Sequence, residues 1–191
     1  MADAYTPSDG LKNVTSFVTD PADETAARKQ VQDMLDQMLA FHNTHLADLD
    51  PHQPSQVKVY NNAAQSIPNI TTSGLSFNSE YFDNDTIHDN TTNNSRLTCK
   101  TAGKYSICAQ VVFDTNNTGY RQMYVKLNGT TIIAIDQENT PSTAPAILNC
   151  STLHSLAVNN YIEVFVYQSS GGALNILANT YSPMFSMIRV G

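Results

Sequence analysis

The chain has 191 residues, of which 41% are hydrophobic and 14% charged, and its formal net charge is -7. This size suits one domain with an appendage. The negative charge argues against a nucleic-acid-binding protein, since such proteins usually carry a basic face. The sequence contains no run of eighteen apolar residues, so we expect no membrane span. The opening segment MADAYTPSDGLKNVTSF lacks the basic-then-apolar order of a signal peptide, so we do not expect export by that route.

Residues 1–50 are predicted to form an N-terminal attachment segment built around one long helix, from about residue 21 to about 46. Asp20 is a favourable N-cap, and Pro21 fits the first helical turn, where a missing N–H costs nothing. Apolar residues then recur every three or four positions from Val31 to Leu49, which predicts a helix with one apolar face.

That apolar face is too narrow to fold alone, so we expect other copies or a neighbouring protein to cover it. Two heptad seams are possible, and both are typical of a short coiled coil. His42 and His45 could bind a metal on a helical axis, although the pattern favours ordinary polar interruptions. The seams are Val31, Met34, Met38, Phe41 and His45, or Val31, Leu35, Met38, His42, His45 and Leu49.

Residues 51–56 contain two prolines and are predicted to be a linker. From residue 57 to 191 the hydrophobic period changes to two, which predicts eight to ten short strands in a sandwich or jelly roll. Asn128-Gly129 is a strong hairpin signal, and VNNY at 158–161 is a second turn candidate. The alternating segments are QVKVYN, KYSICAQVVF, YRQMYVKLNG, TTIIAIDQ, AILNCSTLHSLAV and NYIEVFVYQ.

No catalytic motif is present, so we expect neither an enzyme nor a cofactor. There is no G-x-S-x-G elbow, no H-E-x-x-H and no phosphate loop. Asp83, Asp85 and Asp89, close to His88, supply part of a calcium loop but lack its glycine and closing glutamate, so a solvated loop is favoured. His154 lies in an alternating strand, where a packed or surface histidine is commoner than a catalytic one.

Three cysteines, Cys99, Cys108 and Cys150, fit neither a zinc pattern nor a disulfide framework. We interpret them as buried free thiols on strands.

Four short segments of the strand region, in this order, resemble the globular head of complement and the tumour-necrosis-factor-like jelly roll. The resemblance covers about residues 57–191 and implies a mainly β protein, with an N-terminal α-helix followed by a TNF-like antiparallel jelly-roll sandwich that forms a homotrimer. It also implies that the last strand lies centrally in the inner sheet. The segments are Gly103 with Tyr105, Asn128 with Gly129, Leu156 to Val166, and Phe185 to Val190.

This chain departs from the family pattern at two points. Asn159-Asn160 stands where the family usually has Gly-Asp, and the last strand lacks the usual glycine after Phe-Ser. The departures concern details of a turn and of the core rather than the architecture.

The segments DGLKNVTSFVTDPADETAARKQ and QSIPNITTSGLSFNSEYFDNDTIHDNTTNNSRLTCKTAGKY look similar to structural proteins of tailed bacteriophages. That resemblance implies a virion fibre or tip, anchored to other virion proteins by its N-terminal region and facing a host receptor. The alternatives are a capsid or tail decoration protein that stabilises the particle, and a cellular adhesin-like module. Six tyrosines beside Asn-rich loops would suit saccharide stacking, and they would suit sheet faces and trimer seams equally well. They are Tyr81, Tyr120, Tyr124, Tyr161, Tyr167 and Tyr181.

Overall fold

The computed structural model describes residues 21–49, 54–139 and 143–191. The chain divides into two units, Met1–His52 and Gln53–Gly191, and we call the second the β unit. In the first unit, helix α1 spans Pro21–Leu49 and so continues three residues beyond its expected end. No helix in the described part of the chain is long and apolar enough to cross a membrane.

Every helical side chain between residues 25 and 43 is exposed, including the members of both predicted seams that fall in this range. Met38 and Phe41 each expose 66% of their surface. His42 is exposed as well, whereas the side chain of His45 lies outside the described residues. Between residues 25 and 43 the helix therefore buries none of its side chains within the single chain.

The described residues of the β unit form twelve strands, more than the eight to ten predicted. The additional strands are short: β2, β3, β5 and β11 have only two or three residues each, too few to show alternation. The strands are β1 Gln56–Tyr60, β2 Gln65–Ile67, β3 Ser73–Gly74, β4 Ser79–Asp83, β5 Arg96–Thr98, β6 Gly103–Phe113, β7 Tyr120–Leu127, β8 Thr131–Asn139, β9 Ala146–Leu156, β10 Tyr161–Gln168, β11 Leu174–Ile176 and β12 Met184–Arg189.

The strands form two antiparallel sheets that enclose one hydrophobic core. The seven-stranded sheet has the order β2-β11-β6-β12-β1-β4, with β9 also paired to β6. The five-stranded sheet has the order β3-β10-β7-β8, with β5 also paired to β10. Strands β6 and β9 belong to the seven-stranded sheet, and β7 and β10 belong to the five-stranded sheet. The chain therefore crosses repeatedly from one sheet to the other, as in a jelly roll.

The core follows the two-residue period of the sequence. On β6 the inward positions are all buried, as the alternation predicted, and the outward positions face away from the core. The inward residues of this strand are Tyr105, Ile107, Ala109, Val111 and Phe113.

The last strand, β12, is central, which confirms its expected place. Phe185 pairs with Val59 of β1 on one side and with Ala109 of β6 on the other. Its backbone groups bond on both edges, so an apolar sequence continues almost to residue 191. Gly171 and Gly172 lie in the connection from β10 to β11.

Two predicted turns take the backbone conformations that their residues favour. Asn128 and Gly129 have φ angles of 50° and 73° between β7 and β8, in the left-handed region where asparagine and glycine are enriched. Asn159, in the turn between β9 and β10, has a φ of 68°. Asparagine tolerates this conformation, so Asn159 can occupy a turn position that otherwise favours glycine.

Candidate functional site

The outward side of the seven-stranded sheet is rich in exposed apolar residues, and we call it the apolar face. Leu153 and Ile147 of β9 expose 61% and 51% of their surface, and Ile188 of β12 exposes 36%. Tyr81 and Phe82 of β4 are similarly exposed at the other side of the sheet. The apolar face consists of Tyr60, Tyr81, Phe82, Ile147, Leu153, Met184 and Ile188.

Small, uncharged side chains run across the middle of the apolar face. The ladder register aligns Ser186 of β12 with Cys108 of β6 and Ser151 of β9. Among the outward positions of β1, β6, β9 and β12, only Lys58 and Lys104 carry a charge. Few charges together with tyrosine and methionine are typical of the centre of a protein interface.

The outward side of the five-stranded sheet carries four half-buried aromatic rings, and we call it the aromatic face. The rings of Tyr120 and Tyr167 stack with 5.4 Å between their centroids, and a hydrogen bond with Tyr120 raises the pKa of Tyr167. Phe165 pairs with Tyr124 in the ladder, and Lys126 Nζ lies 4.1 Å from the centroid of the Phe165 ring. This face combines π surfaces with one cation.

A cleft of about 360 Å³ lies at one end of the β unit. One wall is the loop that connects β4 to β5. The other is formed by Lys100, by Asn159 of the β9–β10 turn and by Tyr161 at the start of β10. Arg96 of β5 lines the cleft too, and its guanidinium carbon lies 4.1 Å from the centroid of the Tyr161 ring. Two cationic side chains therefore line one concave surface.

The three carboxylates that could have formed part of a calcium loop accept hydrogen bonds from groups of the protein itself. Asp83 accepts hydrogen bonds from the backbone N–H groups of Asp85 and His88, and Asp85 accepts one from the Ser55 hydroxyl. Backbone N–H groups of Thr92 and Thr91 lower the pKa of Asp89 to about 2. Within the described ranges, no three acidic, histidine or cysteine residues are arranged to hold a metal ion.

His88 lies inside this loop, with its side chain fully buried. Its Nδ1 lies 2.9 Å from Glu80 Oε1, and its Nε2 lies 3.1 Å from the carbonyl oxygen of Asn94. Both ring nitrogens thus have a partner in the protein, and the histidine ties the loop to strand β4.

The three cysteines do not share one environment. Cys99 and Cys150 are buried, as expected, but Cys108 is exposed. The expectation was wrong for Cys108 because the alternation of β6 directs this side chain outward, between the buried residues Ile107 and Ala109. It lies in the small-residue row of the apolar face.

Arg121 is a buried cation that the sequence pattern did not reveal. It occupies an inward position of β7 and is 0% exposed, and burial lowers its pKa. Its Nη1 donates to the carbonyl oxygens of Thr118 and Tyr120, and its Nη2 donates to that of Asn116. Arg121 therefore fixes the loop between β6 and β7.

No protein-family model and no curated protein matches this chain. Among solved structures, the crystal structure of murine APRIL at pH 5.0 matches with a TM-score of 0.56, over 72% of this chain and 100% of that chain, at 11% sequence identity. The crystal structure of murine APRIL at pH 8.5 matches over the same shares with a TM-score of 0.55, at 10% identity. The fold is a TNF-like jelly roll. At such low identity the likeness shows the fold and not the activity.

The six predicted tyrosines divide among three places in the TNF-like domain. Tyr81 and Tyr181 are exposed on the side of the apolar face, where the Tyr81 hydroxyl lies 3.4 Å from the Thr180 carbonyl oxygen. Tyr120, Tyr124 and Tyr167 lie together on the aromatic face. The sixth, Tyr161, lines the cleft and belongs to neither group.

His154 is half-buried on β9 and pairs with Tyr105 of β6 in the strand ladder.

Proposed function

We propose that this chain is a non-enzymatic structural protein of a bacteriophage virion. In this proposal it is a homotrimeric fibre or tip, anchored through its N-terminal region to other virion proteins, and its TNF-like domain binds a saccharide or receptor of the host surface. The resemblance of its N-terminal and Asn-rich segments to phage structural proteins supports the virion assignment.

The observation that carries the assembly part of the proposal is the apolar face. A monomer would leave Ile147, Leu153, Ile188 and two aromatic side chains of β4 in contact with water. Contiguous apolar patches of this kind mark interaction surfaces, and closed homo-oligomers are the commonest way for one chain to bury them. The row of serines and one cysteine allows a second copy to approach the sheet closely.

The exposed helix supports the same arrangement. Its apolar side chains are spaced as in a heptad repeat, and between residues 25 and 43 all of them face solvent in the single chain. Three parallel copies would bury one another's seams. The aromatic face lies on the opposite sheet, so assembly through the apolar face would leave it open to a ligand.

Light scattering coupled to size exclusion tests the assembly. We expect about three times the 20.9 kDa of one chain. Leu153→Lys introduces a charge into the apolar face and should give monomers, because burying an unpaired charge is costly. Ile135→Lys is the matched control, since Ile135 is 56% exposed and lies on β8 of the other sheet. A stable wild-type monomer at micromolar concentration would refute the trimer.

Immunogold labelling of purified particles tests the virion assignment. We expect antibodies against the TNF-like domain to label particles of the phage that encodes the chain, and to block adsorption to host cells. Labelling without any effect on adsorption would favour the decoration protein. Particles that lack the chain would refute a virion role.

A further inference from the structure

We propose that the cleft beside Tyr161 is a binding site for a saccharide that carries a carboxylate. The choice of a saccharide as the ligand class rests on the proposed role in host-surface binding. The cleft volume of about 360 Å³ lies within the range of small-molecule sites, and the charge and hydrogen-bonding groups of the lining define the ligand further.

The cationic side chains of the cleft supply the charge that would attract a carboxylate. Arg96 Nε donates to Glu163 Oε1 at 3.1 Å, and this ion pair holds the guanidinium over the Tyr161 ring. Within the described part of the chain, no acceptor bonds the terminal nitrogens of Arg96 or the ammonium group of Lys100. A fixed guanidinium with free N–H groups matches the geometry of a carboxylate.

The remaining lining is polar and suits the hydroxyl groups of a sugar. Thr92 and Thr98 offer hydroxyls, and Asn93 and Asn159 offer amides that both donate and accept hydrogen bonds. Tyr161 adds an aromatic ring with a polar tip, a common element of sugar sites. Apart from Ile87, aliphatic residues are absent from the lining of this cleft, so a purely apolar ligand would find little to contact.

Two other ionisable groups line the cleft, and the loop itself engages both. The Asp89 Oδ1 atom accepts hydrogen bonds from the backbone of Thr91 and Thr92 and from the Thr91 hydroxyl. His88 bonds at both ring nitrogens, to Glu80 and to a backbone carbonyl. Among the carboxylates and cationic side chains that line the cleft, Arg96 and Lys100 contribute two positive charges against the one negative charge of Asp89.

Backbone hydrogen bonds hold the walls of the cleft in place before any ligand arrives. The N–H of Thr98 donates to the carbonyl oxygen of Ile87 at 2.8 Å, which joins β5 to the loop wall. The N–H of Cys99 donates to the carbonyl oxygen of Asn160, and the N–H of Asn159 donates to the carbonyl oxygen of Cys99. These two bonds join the end of β5 to the β9–β10 turn. A preformed site loses little conformational entropy on binding, so even a small sugar can bind.

Calorimetric titration of the full chain tests the proposal with three probes: glucuronic acid, glucose and inorganic phosphate. We expect glucuronate to bind most tightly, because only it combines a carboxylate with a sugar ring. Its affinity should fall as sodium chloride rises from about 50 to about 500 mM, since salt screens the attraction between charges. Equal affinity for glucose, or for phosphate, would overturn the proposal.

Matched variants locate the binding. Lys100→Gln should weaken glucuronate binding about three- to fivefold, whereas Lys29→Gln, at an exposed lysine of helix α1 that does not line the cleft, should leave it unchanged. Arg96→Lys keeps a cation beside Glu163 but loses the planar fork, so it should weaken binding without unfolding the domain, which a thermal melt verifies. An unchanged affinity in Lys100→Gln and Arg96→Lys would overturn the site.

Light scattering on the same samples separates this proposal from the assembly. A trimer that binds none of the probes at millimolar concentration refutes the cleft and leaves the trimer standing. A monomer that binds glucuronate through Lys100 supports the cleft and refutes the trimer.

Discussion

The ring of Phe185 lies against the ring of Phe77 in the core, with 5.5 Å between their centroids. Both side chains are at most 1% exposed. Phe185 belongs to the last strand and Phe77 lies between β3 and β4, so this contact joins the last strand to a segment more than a hundred residues earlier in the chain. The last strand is therefore part of the core and not a tail laid over it.

Phe185→Ala should lower the free energy of unfolding by roughly 3–5 kcal/mol, because it removes a buried ring and leaves a cavity. That is a large share of the roughly 5–15 kcal/mol typical of a domain. Chemical denaturation followed by circular dichroism measures the change. Val190→Ala, at a position 57% exposed, should change the midpoint little. Equal midpoints for the two variants would contradict the role of Phe185.

Deleting Met184 to Gly191 should abolish folded protein, because it breaks the ladders with both β1 and β6 and removes buried side chains. Deleting residues 1–16 should leave the domain and its assembly intact and affect only attachment to the particle. A fragment of residues 54–191 should also fold, since it keeps the whole core. Expression and thermal melting of the three proteins compare them, and a C-terminal deletion that melts like the full chain would contradict the central strand.

Thiol labelling should distinguish Cys108 from the other two cysteines. Burial raises the pKa of Cys150 to about 11, and Cys99 is 0% exposed, so neither should react before unfolding. In a trimer joined through the apolar face Cys108 should react slowly, and in the monomeric Leu153→Lys variant it should react quickly. Cys108→Ser should remove the fast thiol. Fast labelling of Cys108 in the wild-type trimer would place the interface elsewhere.

Tyr105 should make the domain sensitive to alkali. Its hydroxyl donates to the Thr101 carbonyl oxygen at 2.6 Å, and burial raises its pKa from 10.0 to about 12. A raised tyrosine pKa favours the neutral form in the folded state. The contribution of Tyr105 to the free energy of unfolding is thus complete below pH 10 and is lost as the pH rises toward 12. Denaturation at pH 8 to 12 should show this loss, and Tyr105→Phe should reduce its slope; equal slopes would contradict the assignment.

Local signals in the sequence predicted much of the fold. The alternation around Ile107 identified the inward side of β6, and Asn128-Gly129 identified a hairpin, because both depend on neighbours in the chain. The short strands were missed because two or three residues cannot show a period. Arg121 was missed because three nearby backbone carbonyl oxygens accept hydrogen bonds from its two terminal nitrogens, and binary patterning does not represent such contacts.

The candidate sites were far less predictable. The cleft brings Arg96 and Lys100 beside Asn159 and Tyr161, about sixty residues later in the chain, and only the pairing of β5 with β10 makes them neighbours. The apolar face likewise depends on the register of five strands. Single exposed residues such as Leu153 and Cys108 look ordinary in sequence until that register aligns them.

The hydrogen bond from the N–H of Arg189 to the carbonyl oxygen of Ser55, 2.8 Å long, has a topological consequence. The start of the first strand and the end of the last strand of the β unit are therefore neighbours. The strand pairing should be kept if these two ends were joined and the chain were cut in another loop. A short glycine-serine linker could join the two ends, and new termini could be placed after Gly172, whose surroundings are open. Such a circular permutant would keep every strand ladder, and its termini would lie in the connection between β10 and β11.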